Sequence, residues 1–547
     1  VWGYLDEKAQ WAVAPQFESA GEFGPDGLAV VQRNAKYGLI NKDGKVVLET
    51  IYDWMEPNPP GGVRVAPKEG TYRLLGADGR VVLESKERIG TFSEGLAPFY
   101  RTVAGKSLYG FIDTKGNTVI EPQFLQADPF RNGRALVKVA EGEWAVIDPT
   151  GKQLGQLRFP YVGHLGEDLA AFQDKASQKW GFASITGQVV IPATFSSVTP
   201  FENGVAEVNA GDWSKPAVGL INRKGEFVLG PSFGALQSLG EGLYGVAERP
   251  EYHVPEHFLP MAISTLDGRQ LTDFAFYTLL RSDQGVISAT DERSTFFLDK
   301  AGKKAAGMPV LDGIGTMRVL GPWIRADIDQ ELVYLTREGR VAWRADRTEG
   351  LNSVVKVTAV KYRPHRNLLV YYSQLSGFAD AKVQQSLNTQ LKALFVEHTS
   401  SDEAEKSCTT MNYGAELLKG LLVVHHMGYI YPIGAAHGMP VNDYHHFDIS
   451  TGARYKLADL FKKGSPYSQR LTEAVQEQLA AKPREMVNSK PVITANHRFT
   501  VRRDGLLVYF YPYEIAAYAA GFQEFVIPWN QITDLINTEG AFWKAFH

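Results

Sequence analysis

The stretch Tyr37-Gly38-Leu39-Ile40-Asn41-Lys42-Asp43-Gly44 decides how this chain is read. An aromatic residue and a glycine lead into an apolar pair, polar residues follow, and a second glycine closes the frame. It returns as Tyr109-Gly110-Phe111-Ile112-Asp113-Thr114-Lys115-Gly116, and in looser form from Trp2, Tyr72, Trp144, Trp180, Val218, Met261, Thr295 and Leu332. The ten first positions lie 34 to 43 residues apart. Nine frames place glycine seven residues on, at Gly44, Gly79, Gly116, Gly151, Gly187, Gly225, Gly268, Gly302 and Gly339, and the first has Ala9 instead. Each frame reads as a hairpin: a short apolar strand enters a polar turn in which glycine supplies positive φ, and a β-branched strand such as Lys45-Val46-Val47-Leu48 leaves it. A further strand opening on glycine precedes many frames, as in Gly27-Leu28-Ala29-Val30-Val31 and Gly133-Arg134-Ala135-Leu136-Val137. The unit is therefore a three-stranded β-meander. One such unit cannot bury its apolar face alone, so neighbours must stack into a continuous core.

Trp2-Gly3 and Trp180-Gly181 carry the dipeptide that names the WG (KWG) β-repeat family of bacterial proteins, and residues 1–350 resemble that family. The dipeptide is lost at Met261-Ala262, Thr295-Phe296 and Leu332-Val333, although the turn glycine stays. The resemblance implies a mostly β fold, a tandem array of about ten meanders that is propeller-like or an open solenoid, and a scaffold rather than an activity. The recurring aromatics could stack on sugars. One aromatic per unit at the same strand position is also what a shared core requires, and packing is the reading preferred here.

The 547 residues are 44% hydrophobic and 22% charged, the composition of a folded protein. With 57 Lys+Arg against 61 Asp+Glu the net charge is -4, too close to neutral for the field a nucleic-acid or anionic-membrane binder carries. No apolar run approaches the roughly 18 residues of a membrane span. The single cysteine, Cys408, excludes an intramolecular disulfide and a cysteine-based zinc cage. No glycine-led strand precedes Trp2, so further residues upstream, including an export signal, are expected.

After Leu351 the turn-glycine frame stops. Val354 to Val360 alternates like a strand, and Phe378 to Val396 places Val383, Leu387, Leu391 and Leu394 at helical spacing. Glu416 to Met427 reads as a strand, and Gln469 to Ala481 as a second helix with Leu471, Val475 and Leu479 on one face. Residues 351–547 are thus expected to form a separable α+β domain. Three segments carry a resemblance: Gly434-Ala435-Ala436-His437-Gly438, Phe447-Asp448-Ile449-Ser450-Thr451-Gly452, and Tyr511-Pro512-Tyr513-Glu514-Ile515-Ala516-Ala517-Tyr518-Ala519-Ala520-Gly521. They are similar to the extracellular domain of the lysozyme-sensing anti-sigma factors, a domain also found in front of some peptidoglycan deacetylases. That resemblance implies a cell-envelope setting and a binding role. It does not extend to a membrane helix, a sigma-binding segment or a deacetylase catalytic domain.

Five of the twelve histidines fall close together: His425, His426, His437, His445 and His446. A transition metal held by His437, His445 and Asp448, with Asp443 as a further carboxylate, is the alternative they raise. Adjacent histidines of a strand point to opposite faces, so each pair can offer one ligand to a given site. The preferred reading has no metal and no other cofactor. Glu514, between aromatic and apolar neighbours, is weighed as a general acid and read as a structural turn. No phosphate loop, nucleophile elbow or zinc-protease helix motif occurs, and no catalytic residue is assigned. Tyr429, Tyr431, Gly434, His437, Gly438, Met439 and Tyr444 are the candidate binding residues, because glycines let backbone approach a partner and aromatics anchor interfaces. The sequence thus reads as a non-catalytic, extracytoplasmic envelope-binding or scaffold protein whose partner is a protein or a wall glycan. The alternatives are a wall-polysaccharide-modifying enzyme, or its accessory subunit, using the His425–His446 cluster, and a cytoplasmic interaction scaffold.

Overall fold

A computed structural model describes residues 1–24, 26–57, 62–66, 71–76, 80–86, 88–103, 105–212, 214–249, 258–396, 406–481 and 490–547. Ten small antiparallel sheets follow one another between Trp2 and Arg344, one for each frame. In the second sheet the strands are Ser19–Ala20, Leu28–Arg33, Lys36–Asn41 and Val46–Tyr52, with the frame on the third. Seven of the ten sheets have four strands, so the meander expected from the sequence gains a leading strand. That strand can be as short as Gln126–Ala127 or Ser197–Val198, too short for alternation to reveal it.

Where Asn or Asp opens the frame's turn, the described turns are built on one plan. Asn41 Oδ1 accepts the amides of Asp43 at 3.1 Å and Lys45 at 2.9 Å, while Gly44 donates to the Asn41 carbonyl at 2.9 Å with φ of 76°. Asp113, Asp148, Asn222 and Asp299 make the corresponding side-chain bonds in their sheets. Each turn also rests on the sheet before it. A Cβ on Gly44 would stand 2.6 Å from Val13 Cγ2, and one on Gly225 would stand 3.3 Å from Ile191 Cγ2. Gly79 lies outside the described residues.

The first glycine of the frame has a different reason. In five sheets the strand after the frame bulges opposite it: Tyr109 pairs with Phe124 but Phe111 with Ile120, and Trp180 pairs with Phe195 but Phe182 with Ile191. A Cβ on Gly110 would lie 2.3 Å from Ile120 O, and one on Gly181 would lie 2.5 Å from Ile191 O. Gly3, Gly38 and Gly219 meet the same backbone approach. Two sheets in which the glycine is replaced lose the bulge, whereas opposite Ala262 the pairing stays irregular, with Met261 bridging Phe276 and Ser264 bridging Gln270. Trp144, Ala145 and Val146 pair in step with Leu157, Gln156 and Gly155, and Thr295 and Phe296 pair in step with Leu311 and Val310. Pro15, Pro122, Pro192 and Pro231 sit in four of the five bulges, where the ladder is interrupted and no amide donor is needed.

Sheet follows sheet until the tenth meets the first. Trp323 Nε1 donates to the Glu7 carbonyl at 3.1 Å, in the turn that ends at Ala9. Trp11 and Trp343 pack edge to face at 5.6 Å, and Arg325 reaches Glu22 at 3.1 Å. The first turn therefore rests on the tenth sheet as every later turn rests on its predecessor, and the array returns on itself as a propeller-like ring.

A seven-stranded sheet follows, in the order Thr348–Gly350, Lys356–Tyr362, Leu368–Ser376, Ser407–Leu418, Leu421–Pro432, Met439–Asp448 and Arg454–Tyr455. Its edge strand, 348–350, lies on the array side of the boundary expected at 351. Helix α1, Ala381–Val396, makes the crossover between the parallel pair and buries Leu387, Leu391 and Phe395 on one face of the sheet. The other face carries a core shared with helix α2, Tyr467–Ala480, helix α3, Ala541–Phe546, and a three-stranded sheet of Phe499–Val501, Gly505–Phe510 and Gln523–Pro528. Leu471, Val475 and Leu479 of α2 are buried there, as their spacing predicts. The strand expected over Glu416 to Met427 is instead a hairpin that turns at Lys419-Gly420, with Lys419 at φ of 51°. Among the described residues no helix is long and apolar enough to cross a membrane.

A buried ion cluster ties this region to the ring. Asp329, whose side chain is 1% exposed, accepts Lys361 Nζ at 2.9 Å, Arg363 Nε at 3.1 Å and the Ile314 amide at 2.9 Å. Tyr371 donates its hydroxyl to the Asp329 carbonyl at 2.7 Å, and Arg363 reaches on to the Arg293 carbonyl at 2.9 Å.

Two predictions follow from these contacts. Gly181→Ala forces a Cβ into backbone and should cost about 2–3 kcal/mol, whereas Ala145→Gly, facing a regular ladder, should cost no more than about 1 kcal/mol; thermal melts of the two variants check the contrast. Asp329→Ala removes the buried carboxylate that Lys361 and Arg363 share, leaving Arg363 only the exposed Asp312, and should cost about 3–5 kcal/mol; an unchanged melting temperature would show that the cluster does not hold the two regions together.

Candidate functional site

The strands Leu421–Pro432 and Met439–Asp448 pair from Leu421 with Asp448 up to Ile430 with Met439, and the loop between them carries the glycines of the sequence motif. Gly434 takes φ of 88° at the loop's open tip. Gly438 is glycine for space: a Cβ there would lie 2.4 Å from Ile430 O and 2.7 Å from Tyr429 Cε1. Its amide donates to the Tyr429 hydroxyl at 2.9 Å.

This close approach sets His437. Its Nδ1 lies 3.0 Å from the Gly438 carbonyl, which makes that nitrogen the donor, and Nε2 then accepts the Tyr513 hydroxyl at 3.0 Å. The imidazole stacks on Tyr518 with centroids 4.0 Å apart, and Tyr518 and Tyr429 bring their hydroxyls within 3.5 Å. Four rings thus form one outward-facing cluster, with Tyr429 41% and Tyr513 54% exposed. Tyr513 holds φ of 71°, which a side chain rarely adopts. Tyr513 and Tyr518 belong to the 511–521 motif but are absent from the residues chosen from sequence. Their signal was that motif, and only the fold carries it to the 434–438 loop.

The other expected binding residues lie apart from this cluster. Tyr444 turns inward, stacked on His425 at 4.1 Å and edge-on to Tyr509 at 5.8 Å, with burial raising its phenol above the ordinary range. Tyr431 donates to the Ala435 carbonyl at 2.7 Å and lies parallel to Phe258 of the ring at 6.0 Å. Met439 is half-buried opposite Ile430.

The histidine pairs divide between the two faces of the sheet, as strand alternation requires. His426 and His445 lie on the α1 side, where His426 contacts Phe395 at 4.0 Å and Arg454 donates to His445 Nδ1 at 2.9 Å. His446 lies on the other face, stacked on Phe499 at 4.5 Å with Nε2 3.2 Å from Thr500 Oγ1. The metal set His437, His445 and Asp448 is not brought together. Asp448 caps its own turn, accepting the Ser450 and Thr451 amides at 2.8 and 3.0 Å and the Tyr455 hydroxyl at 2.8 Å. Among the described residues no three His, Cys, Asp or Glu are placed to hold a metal ion. Glu514 is likewise engaged in structure, paired with Arg498 at 2.9 Å and accepting the Tyr511 amide at 2.7 Å. Cys408 lies near Asn367, and burial pushes its thiol up, away from the thiolate form a nucleophile needs.

Comparison with known proteins matches both halves of the chain. A family model described as WG containing repeat matches residues 2–37, 37–62, 109–144 and 180–212, and a model described as protein of unknown function DUF3298 matches residues 458–530. A DUF3298 family member from Bacteroides fragilis is similar at 20% identity over 36% of this chain and 100% of that one, with a TM-score of 0.29. A DUF3298 family protein from Pseudomonas aeruginosa PAO1 is similar at 17% identity over 34% of this chain and 97% of that one, with a TM-score of 0.27. A structure described as the eukaryotic initiation factor is similar at 12% identity over 58% of this chain and 95% of that one, with a TM-score of 0.39. No curated protein matches the chain.

Burial beside the DUF3298 region has a consequence for acid stability. Desolvation pushes His445 and His446 down to about 3 and His497 down to about 4. The unfolded chain binds these protons near pH 6.5 and the folded chain does not, so the stabilisation is complete above that pH and is lost as pH falls toward the folded values. Stability should fall below pH 6.5 by about 1.4 kcal/mol per pH unit for each such histidine. Unfolding followed from pH 7 to pH 4.5 checks this, and His446→Phe should reduce the slope by one proton's share. An unchanged slope would mean that His446 is not neutral in the fold.

Proposed function

We propose that this chain is a non-catalytic binding protein of the bacterial cell envelope, acting outside the cytoplasm, in which the WG ring is a scaffold and the terminal region recognises a protein or a wall glycan. The observation that carries the reading is the exposed cluster of Tyr429, His437, Tyr513 and Tyr518. Aromatic rings fixed by hydrogen bonds at their polar tips lose little entropy when a partner covers them, which makes them good anchors. The resemblance of 434–438, 447–452 and 511–521 to the lysozyme-sensing domain supports the envelope setting, and two of those three motifs build the cluster. The titratable groups around it are tied into turns, stacks and ion pairs, and this favours recognition over turnover.

The test is a pull-down and binding titration of the full chain against lysozyme-type enzymes and soluble wall fragments. Tyr513→Ala and His437→Ala, both shown to fold by thermal melt, should weaken capture by about tenfold or more, the effect of an interface anchor. Unchanged binding in both variants would move the site elsewhere. Turnover of a wall polymer by the wild type would replace recognition with catalysis.

A further inference from the structure

Away from the aromatic cluster, the ring encloses a cavity of about 560 Å³, lined by residues of four consecutive sheets from Asp128 to Tyr244. That size falls within the roughly 300–1,000 Å³ of small-molecule sites. Its walls come from the leading strands and the turns after them, among them Asp128, Arg131, His164, Glu202 and Glu207. A second hollow of about 140 Å³ adjoins it, sharing Asp128, His164 and Pro200, and is walled by Tyr161 and Trp180. One cleft therefore has a hydrogen-bonding part and an aromatic part.

The lining excludes most ligand classes. An apolar molecule would strip water from carboxylates and guanidiniums without replacing its hydrogen bonds. An anion such as a nucleotide would meet Asp128, Glu202 and Glu207 against Arg131, while Arg134 is already paired with Asp168 and Glu167 with Arg223. The carboxylates of Glu202 and Glu207 are close enough to Tyr244 to raise its phenol, together with burial. What fits is a neutral or amine-bearing molecule rich in hydroxyls with an apolar C–H face. Asp128 Oδ2 accepts from His164 Nδ1 at 3.2 Å, and this leaves His164 Nε2 and the other Asp128 oxygen as two acceptors at the junction of the two hollows. Tyr161, 53% exposed, packs edge to face on Trp180 at 5.5 Å and offers a ring beside that pair. Gly163 keeps the floor low, since a Cβ there would come within 3.2 Å of Trp180 Cζ3. Trp180 is a frame aromatic, yet here it borders a hollow, whereas Trp144 of the preceding sheet is 3% exposed in the core.

We infer that this cleft is an oligosaccharide-binding site for neutral or amino sugars, with Tyr161 and Trp180 stacking on a sugar face and Asp128 and His164 bonding its hydroxyl or amine groups. It is distinct from the Tyr429–Tyr518 cluster and stands or falls separately from it.

Calorimetric titration of the full chain with cellotriose, triacetylchitotriose, its deacetylated chitotriose and trigalacturonate tests the assignment. At least one of the three non-acidic trimers should bind, more tightly than trigalacturonate. Tyr161→Ala, at an exposed position, and Asp128→Asn should each weaken binding by about tenfold, the effect of losing one well-placed contact. Val341→Ala, at an exposed position of the tenth sheet, should leave it unchanged. No binding by any non-acidic trimer, preference for trigalacturonate, or full affinity in both cleft variants would overturn the inference. Loss confined to Tyr513→Ala would assign the sugar to the terminal region instead.

Discussion

The ring depends on a steric condition inside the frame, the absence of a side chain where a bulged strand crosses. In five sheets the strand after the frame carries two extra residues opposite the frame's first glycine, and its backbone comes closer to that glycine than any Cβ allows. A bulge bends and twists a strand. Two sheets that lack the glycine pair regularly there, whereas the segment opposite Ala262 is irregular without it. The turn glycine then sets the next relation, seating each hairpin on the preceding sheet, and the core clusters accordingly draw residues from successive sheets. Stability in such an array belongs to the interfaces between units as much as to the units.

Packing also accounts for most of the histidines of the terminal region. His425 stacks on Tyr444, His445 takes a hydrogen bond from Arg454, and His446 is enclosed by Phe499 and Phe542. Stacked and bonded in this way, these rings pack the two faces of the sheet. His437 differs because its loop lies beyond the covered part of the strands, and its ring is held between a carbonyl, a hydroxyl and a stacked Tyr518 on an open surface. The joint between the two halves follows the rule for buried charge: Asp329 sits among Lys361, Arg363 and a backbone amide, and none of them is left without a counterpart.

The sequence by itself determined the repeat, its period and its hairpin turn, because these are local: an Asx side chain bonding amides two and four residues on, and a glycine at positive φ, need only neighbouring residues. It also determined the buried faces of α1 and α2, since 3.6-residue periodicity needs no knowledge of the partner surface. The bulge was written there as well, in Pro15, Pro122, Pro192 and Pro231 at a near-constant offset from the frame, although nothing local shows which glycine they oppose. Only the tertiary structure decided that the tenth sheet meets the first, because Trp323 and Glu7 are joined by a contact that no local pattern encodes. It also decided the make-up of the aromatic cluster, in which His437 meets Tyr513 across 76 residues, and sent Tyr444 to the core while leaving Tyr513 outside. Strand pairing and loop path choose which of two equally aromatic residues faces solvent, and both arise from packing among distant segments.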